Sequence, residues 1–207
     1  MKTISEDFVK EYRRMVDSGI ITDKHLVRFE KYNLHSILQY CLIKAGEKQG
    51  LLPLPEYRLK LVKPIDKKEL RLPIKKARFI RTIKVDVAFL HSGKLVGIGE
   101  VVTPGLLHYG ISSQELRQLK QSMGRNVSYS EVTTYDKLLH IAKTQKEVGF
   151  IVLVSGPWKV FSKKIFMGKR LDEWFKHWKN LSDKLAIMKP SRTIFIYDLE
   201  SVRLYSK

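Results

Sequence analysis

The chain has 207 residues, and 39 Lys+Arg against 21 Asp+Glu give it a formal charge of +18 at pH 7. That length suits one domain, and 43% hydrophobic residues supply a sizeable core, which excludes wholesale disorder. The single cysteine, Cys41, excludes an intramolecular disulfide framework and an all-cysteine metal cage, and no apolar run approaches the roughly 20 residues of a bilayer span.

The first residues, MKTISEDFVKEYRRM, lack the apolar stretch of a signal peptide, so the expectation is a soluble intracellular protein, cytoplasmic or nucleoid-associated. Residues 4–17 have Phe8, Tyr12 and Met15 near one helical stripe, stopped by Ser18-Gly19, and residues 1–21 are expected to form an N-terminal helical appendage. Thr22-Asp23 is a candidate cap for a longer helix in which Leu26, Phe29, Leu34, Ile37, Leu38, Cys41, Leu42 and Ala45 recur every three or four residues, with Tyr32-Asn33 as a candidate interruption. After a proline-marked connection at 51–55 the period changes, and Glu56 to Val62 reads as a strand.

A polar link from Pro64 to Pro73 precedes Phe79 to Leu90, where Ile83, Val85, Val87 and Phe89 alternate with Lys84, Asp86 and Ala88 at strand spacing. His91-Ser92-Gly93-Lys94 supplies a turn, and Leu95 to Val102 returns as an apolar strand buried on both faces. Residues 106–131 are the least legible, with SSQELRQLKQSM as a helix candidate and Gly124-Arg125-Asn126 as loop. Thr134 is expected to cap a helix from Tyr135 to about Lys146. Phe150 to Val154 reads as a buried strand, Leu171 to Ile187 as a helix with Trp174, Phe175, Trp178, Leu181 and Leu185 on its apolar side, and Thr193 to Tyr197 as a last strand. The order is α/β in character, and one domain over residues 1–207 is the simplest account.

Basic residues are uneven. From Arg58 to Lys84 there are eleven against only Asp66 and Glu69, and Lys159, Lys163, Lys164, Lys169 and Arg170 interleave with Trp158, Phe161 and Phe166. Such a field concentrates polyanions, nucleic acid above all, although rings of this kind are more often core than stacking platforms.

Asp86 and Glu100 stand out because both lie within strands that otherwise read as buried, where an unpaired carboxylate costs several kcal/mol. An even-sum register, with Leu90 opposite Val96, brings the two side chains together; a two-residue Ser92-Gly93 turn gives odd sums and separates them. Two converging carboxylates, with the Val101 carbonyl, make a hard-oxygen site for Mg2+ or Mn2+; the alternative is that each acid is paired with a nearby cation or sits in water.

KVDVAF around Asp86, a short turn, GIGEVV around Glu100, a helix and then GFIVLV resemble the PD-(D/E)xK nuclease superfamily. The resemblance covers about residues 26–155. It implies a restriction-endonuclease-like fold, a mixed central β-sheet flanked by helices, with Asp86 and Glu100 binding divalent metal for phosphodiester hydrolysis in DNA. Roles in repair, recombination or defence and a homodimeric arrangement follow from the same likeness. The upstream helix commonly adds a glutamate, which here is Glu30; Glu56 is a further acid, taken as structural or peripheral.

Two departures bear on activity: Val85 stands where Pro is frequent, and Val102 where the motif lysine belongs. Valine neither donates a hydrogen bond nor carries charge. Catalysis then needs a lysine from another element, for which Lys137 and Lys143 on the following helix are candidates, each with a solvent role as the alternative; failing that, the chain is a nuclease-like DNA-binding protein. His140 is a weaker candidate for proton transfer. Cys41 reads as a small buried hydrophobe, and Gly97 and Gly99 as a close backbone approach or a bulge.

Overall fold

The computed structural model describes residues 2–21, 31–72, 74, 77–102, 111–122, 132–155, 165–166, 169–188, 193–197 and 203–205. Helix α1 (Lys2–Asp17) buries Ile4, Phe8, Tyr12 and Met15 along one stripe, and Gly19, at φ 72, turns the chain out of it. Helix α2 (Lys31–Lys48) runs without interruption through Tyr32-Asn33 and buries Leu34, Leu38, Cys41, Leu42 and Ala45. These two stripes share one core with Val87, Phe89, Val101, Val152 and Val154, so the N-terminal helix is packed into the body of the protein. The proposed cap at Thr22-Asp23 and the start of the expected helix lie outside the described residues.

Strand β1 (Leu52–Asp66) is longer at both ends than the sequence suggests, and includes Pro53, Pro55 and Pro64. It tolerates them because it is an outermost strand of the sheet, where one row of backbone N–H groups needs no ladder partner. Strands β2 (Phe79–His91) and β3 (Lys94–Val102) form the central hairpin, and both turn residues, Ser92 and Gly93, have positive φ (49 and 74), as a primed two-residue turn requires.

Helix α3 (Ser113–Ser122) and helix α4 (Thr134–Thr144) follow, with Thr133 rather than Thr134 as the cap, its hydroxyl accepting from the Asp136 N–H at 3.3 Å. Strand β4 (Phe150–Ser155) lies parallel to β3, as the intervening helix permits. Short β5 (Ile165–Phe166) and β6 (Lys169–Arg170) pair with each other, helix α5 (Leu171–Met188) follows, and β7 (Thr193–Tyr197) joins β4 in parallel with β8 (Arg203–Tyr205) antiparallel beyond it. Among the described residues the result is a mixed six-stranded sheet in the order β1-β2-β3-β4-β7-β8. Helices α1 and α2 cover one face, and a second core on the other gathers Leu138 and Ile141 of α4 and Trp178, Leu181 and Leu185 of α5 over Ala88, Ile98, Val102, Ile151 and Leu153. Among the described residues no helix is long and apolar enough to cross a membrane.

The irregular part of β1 is held by side chains in place of a neighbouring strand. Its pairing with β2 shifts between Lys60 and Ile65. There the buried Gln145, just past α4, accepts from the Val62 N–H at 2.7 Å and donates to the Lys60 carbonyl at 3.1 Å, while His140 Nε2 meets the Lys63 carbonyl at 2.6 Å. Gln145→Leu strands two backbone groups, so urea unfolding should show a loss of about 1–3 kcal/mol. An unchanged midpoint would mean that the bulge is held by other contacts.

Candidate active site

The hairpin combines the two registers that the sequence left open. Next to the turn, His91 faces Lys94 and Leu90 faces Leu95, the odd-sum arrangement of a two-residue loop. A bulge at Val96 then restores the even sum, so that Phe89 faces Gly97 and Val87 faces Gly99. The paired positions end there, one residue short of Asp86 and Glu100. The glycines allow close packing along this strand: a Cβ on Gly97 would lie 2.3 Å from the Phe150 ring, and one on Gly99 would lie 2.4 Å from Leu42.

Asp86 also marks a break in the pleat. Val85 and Ala88 both pack into the α4/α5 core, whereas Val87 packs into the α1/α2 core. Regular alternation would put Val85 and Val87 on the same side. Across β1 the same break falls between Leu54 and Tyr57, both in the α4/α5 core, and Glu56 between them has φ 53. Asp86 thus stands at the seam between the two layers. Its Oδ2 accepts from the Val101 N–H at 2.7 Å and lies 3.3 Å from His35 Nε2 on α2. One turn further along α2, Gln39 Nε2 donates to the Asp86 carbonyl at 2.7 Å and to Glu56 Oε1 at 3.1 Å, and Glu56 is paired with Lys84.

Glu100 faces the other layer, and its side chain is only 3% exposed. Lys137, near the start of α4, places Nζ 2.7 Å from Glu100 Oε1 and donates to the Lys84 carbonyl at 3.0 Å. The contact with Oε1 is a charge contact rather than an aligned hydrogen bond, since that buried oxygen has no well-directed donor among the described residues. Burial pushes the Glu100 carboxyl up to about 7, and the charge of Asp86 adds to the push while Lys137 and the Asp86 N–H oppose it. For Asp86, burial also favours the neutral acid, but it is outweighed by His35, the Val101 N–H and Lys137, and the carboxyl is held below its usual range. The two carboxyls are therefore shifted in opposite directions, Glu100 up and Asp86 down, with the charge of Lys137 acting downward on both.

Of the other candidate residues, Lys143 is exposed on α4, and His140 is taken up by the Lys63 carbonyl. The Val101 N–H donates to Asp86, and the Val101 side chain is core. Val102 is core as well, as is Cys41, whose thiol burial pushes up to about 12. Glu30, Lys159, Lys163, Lys164, Trp158, Phe161 and the 124–126 loop lie outside the described residues. His35 and Gln39 went unnoticed in the sequence. Their four-residue spacing on a helix was the available signal, because it aims both at one point. Among the described residues no three His, Cys, Asp or Glu side chains form a group able to hold a metal ion. No family model, no curated protein and no solved structure matches this chain.

The raised Glu100 carboxyl has a consequence for stability. A group that moves from 4.5 to about 7 on folding is protonated in the native protein but ionised in the unfolded chain between those values. The stability it contributes is therefore present below pH 4.5 and declines as pH rises towards 7, by at most about 3 kcal/mol. Urea unfolding across this range should show Glu100→Gln gaining on wild type up to about pH 7 and then holding its lead. A stability difference independent of pH would contradict the assignment.

Proposed function

We propose that the protein is a Mg2+- or Mn2+-dependent DNA endonuclease with a restriction-endonuclease-like fold of the PD-(D/E)xK kind. The observation that carries this reading is the Lys137 Nζ 2.7 Å from the buried Glu100 Oε1, with Asp86 near enough for its charge to act on Glu100. The lysine expected at position 102 is replaced from α4 by one that reaches the same acid. The basic composition supplies attraction for the polyanionic substrate.

The donor set fits a small hard cation. Glu100 Oε1 is a buried oxygen without an aligned donor, and Asp86, with 18% of its side chain exposed, gives the pair an opening to solvent. Mg2+ is commonly held by one or two carboxylates, with water and substrate phosphate oxygens completing the shell, so a protein-only cage of three ligands is not required. Asp86 and Glu100 would hold the ion, which when bound polarises the phosphodiester and acidifies water. The chain's own part is positional. His35 and the Val101 N–H fix the Asp86 carboxylate, Gln39 fixes its backbone, and α4 presents an ammonium. That ammonium has three donors, of which the Lys84 carbonyl engages one, while Glu100 lies against it as a charge partner. Among the described residues it keeps a donor with which to orient an attacking water.

A second reading, DNA binding without hydrolysis, is favoured by one feature: Asp86 and Glu100 each already have a nitrogen partner, His35 and Lys137. Incubation with supercoiled, linear and branched DNA and Mn2+ separates the two. The nuclease reading expects cleavage that EDTA abolishes and that falls at least about a hundredfold in Asp86→Ala, Glu100→Ala and Lys137→Ala. Equal residual cleavage in wild type and all three variants would exclude it, and metal-independent binding without cleavage would establish the second reading.

A further inference from the structure

Beyond the seam at Asp86, β1 and β2 are covered on one face only among the described residues. Tyr57, Leu59, Leu61, Ile83 and Val85 pack into the α4/α5 core, but among the described residues none from 57–66 or 79–85 joins the α1/α2 core. The exposed positions in neither core are Arg58, Lys60, Val62, Lys63, Phe79, Arg81, Thr82 and Lys84. Arg58 stands directly across from Lys84, and Lys60 across from Thr82. Like charges opposite one another in a ladder are destabilising, and an exposed pair of this kind is relieved by a bound anion. Lys84 is partly neutralised by Glu56, but Arg58 and Lys60 have no acidic partner among the described residues. Of the acids in the same segment, Asp66 is engaged by Arg78 and Glu69 lies in the turn region beyond the strand.

We propose that this bare face of the β1/β2 ribbon is the track on which a DNA duplex lies, held through its phosphates and led to Asp86. Arg58 and Lys60, two residues apart on one strand, are about 6.7 Å from each other and lie flat, so they present a row of charge and not a pocket. Among the described residues of this stretch the one exposed ring is Phe79, at its far end and already covered by the Arg78 guanidinium at 5.0 Å, and none of the exposed side chains around Arg58 and Lys60 is aromatic, which favours a stacked duplex held by its backbone over a single strand whose bases need rings to stack on. Asp86 follows Lys84 on the same strand, at the point where α2 begins to cover the sheet. Substrate on the track therefore reaches the exposed side of the Asp86 carboxylate. Only this last step rests on the nuclease reading; the duplex contact does not.

The test is fluorescence anisotropy with a labelled mixed-sequence DNA duplex in EDTA, so that cleavage plays no part. Arg58→Glu with Lys60→Glu should weaken binding at least about tenfold, and the dependence of log affinity on log salt should become shallower by about two, one for each lost phosphate contact. Lys10→Glu with Arg13→Glu makes the same charge change on the exposed side of α1 and should stay close to wild type. Arg58→Gln with Lys60→Gln supports the same comparison if the charge-reversed protein does not fold. Wild-type affinity in both ribbon variants, an equal loss in the α1 control, or stronger wild-type binding to an RNA duplex or to polyglutamate would overturn the proposal. None of those results would bear on metal-dependent cleavage. Conversely, absent cleavage with intact ribbon-dependent binding would remove the nuclease reading and leave the track.

Discussion

Burying one carboxylate opposite another is the constraint around which the centre of this protein is built. Glu100 is nearly inaccessible and lies near enough to Asp86 on the neighbouring strand to sense its charge, so its ionised form is opposed both by lost hydration and by a like charge. The compensations come from three directions. Helix α4 brings Lys137 to Glu100, helix α2 brings His35 to Asp86, and β3 turns the Val101 N–H towards the same Asp86 oxygen.

The hairpin shows how local chemistry makes the site possible. Ser92-Gly93 forms the tight turn, but a tight turn alone would set Asp86 and Glu100 out of register. Val96, inserted as a bulge, corrects this by one residue, and Gly97 and Gly99 let Phe150 and Leu42 close over the strand. The seam at Asp86 and Glu56 then redirects the outer ends of β1 and β2. Their apolar side continues into the α4/α5 core, while the opposite side is released to solvent and carries the basic residues.

Much of this was legible from residue order. The strong 2- and 3.6-residue periods gave β2, β3, β4, α4, α5 and β7 to within a few residues, and the two acids were conspicuous because their neighbours are apolar. The extent of β1 was hidden by its three prolines, which signal a break unless one already knows that the strand lies at an edge. The register was ambiguous because a bulge changes the parity of the pairing, and nothing in LVGIGEVV distinguishes Val96 from its apolar neighbours. Choosing Lys137 over Lys143 needed the rotation of α4 against the sheet, a tertiary quantity. His35 and Gln39 were invisible for a similar reason, since their importance comes from which residue α2 crosses and not from the helix itself.

The most direct test of the account is a crystal soaked in Mn2+ and measured at a wavelength where manganese scatters anomalously. The account predicts a single strong anomalous peak within bonding distance of carboxylate oxygens from both Asp86 and Glu100, with Lys137 still beside Glu100. A map without a peak there, or with manganese bound to one acid while the other keeps its nitrogen partner undisturbed, would contradict it.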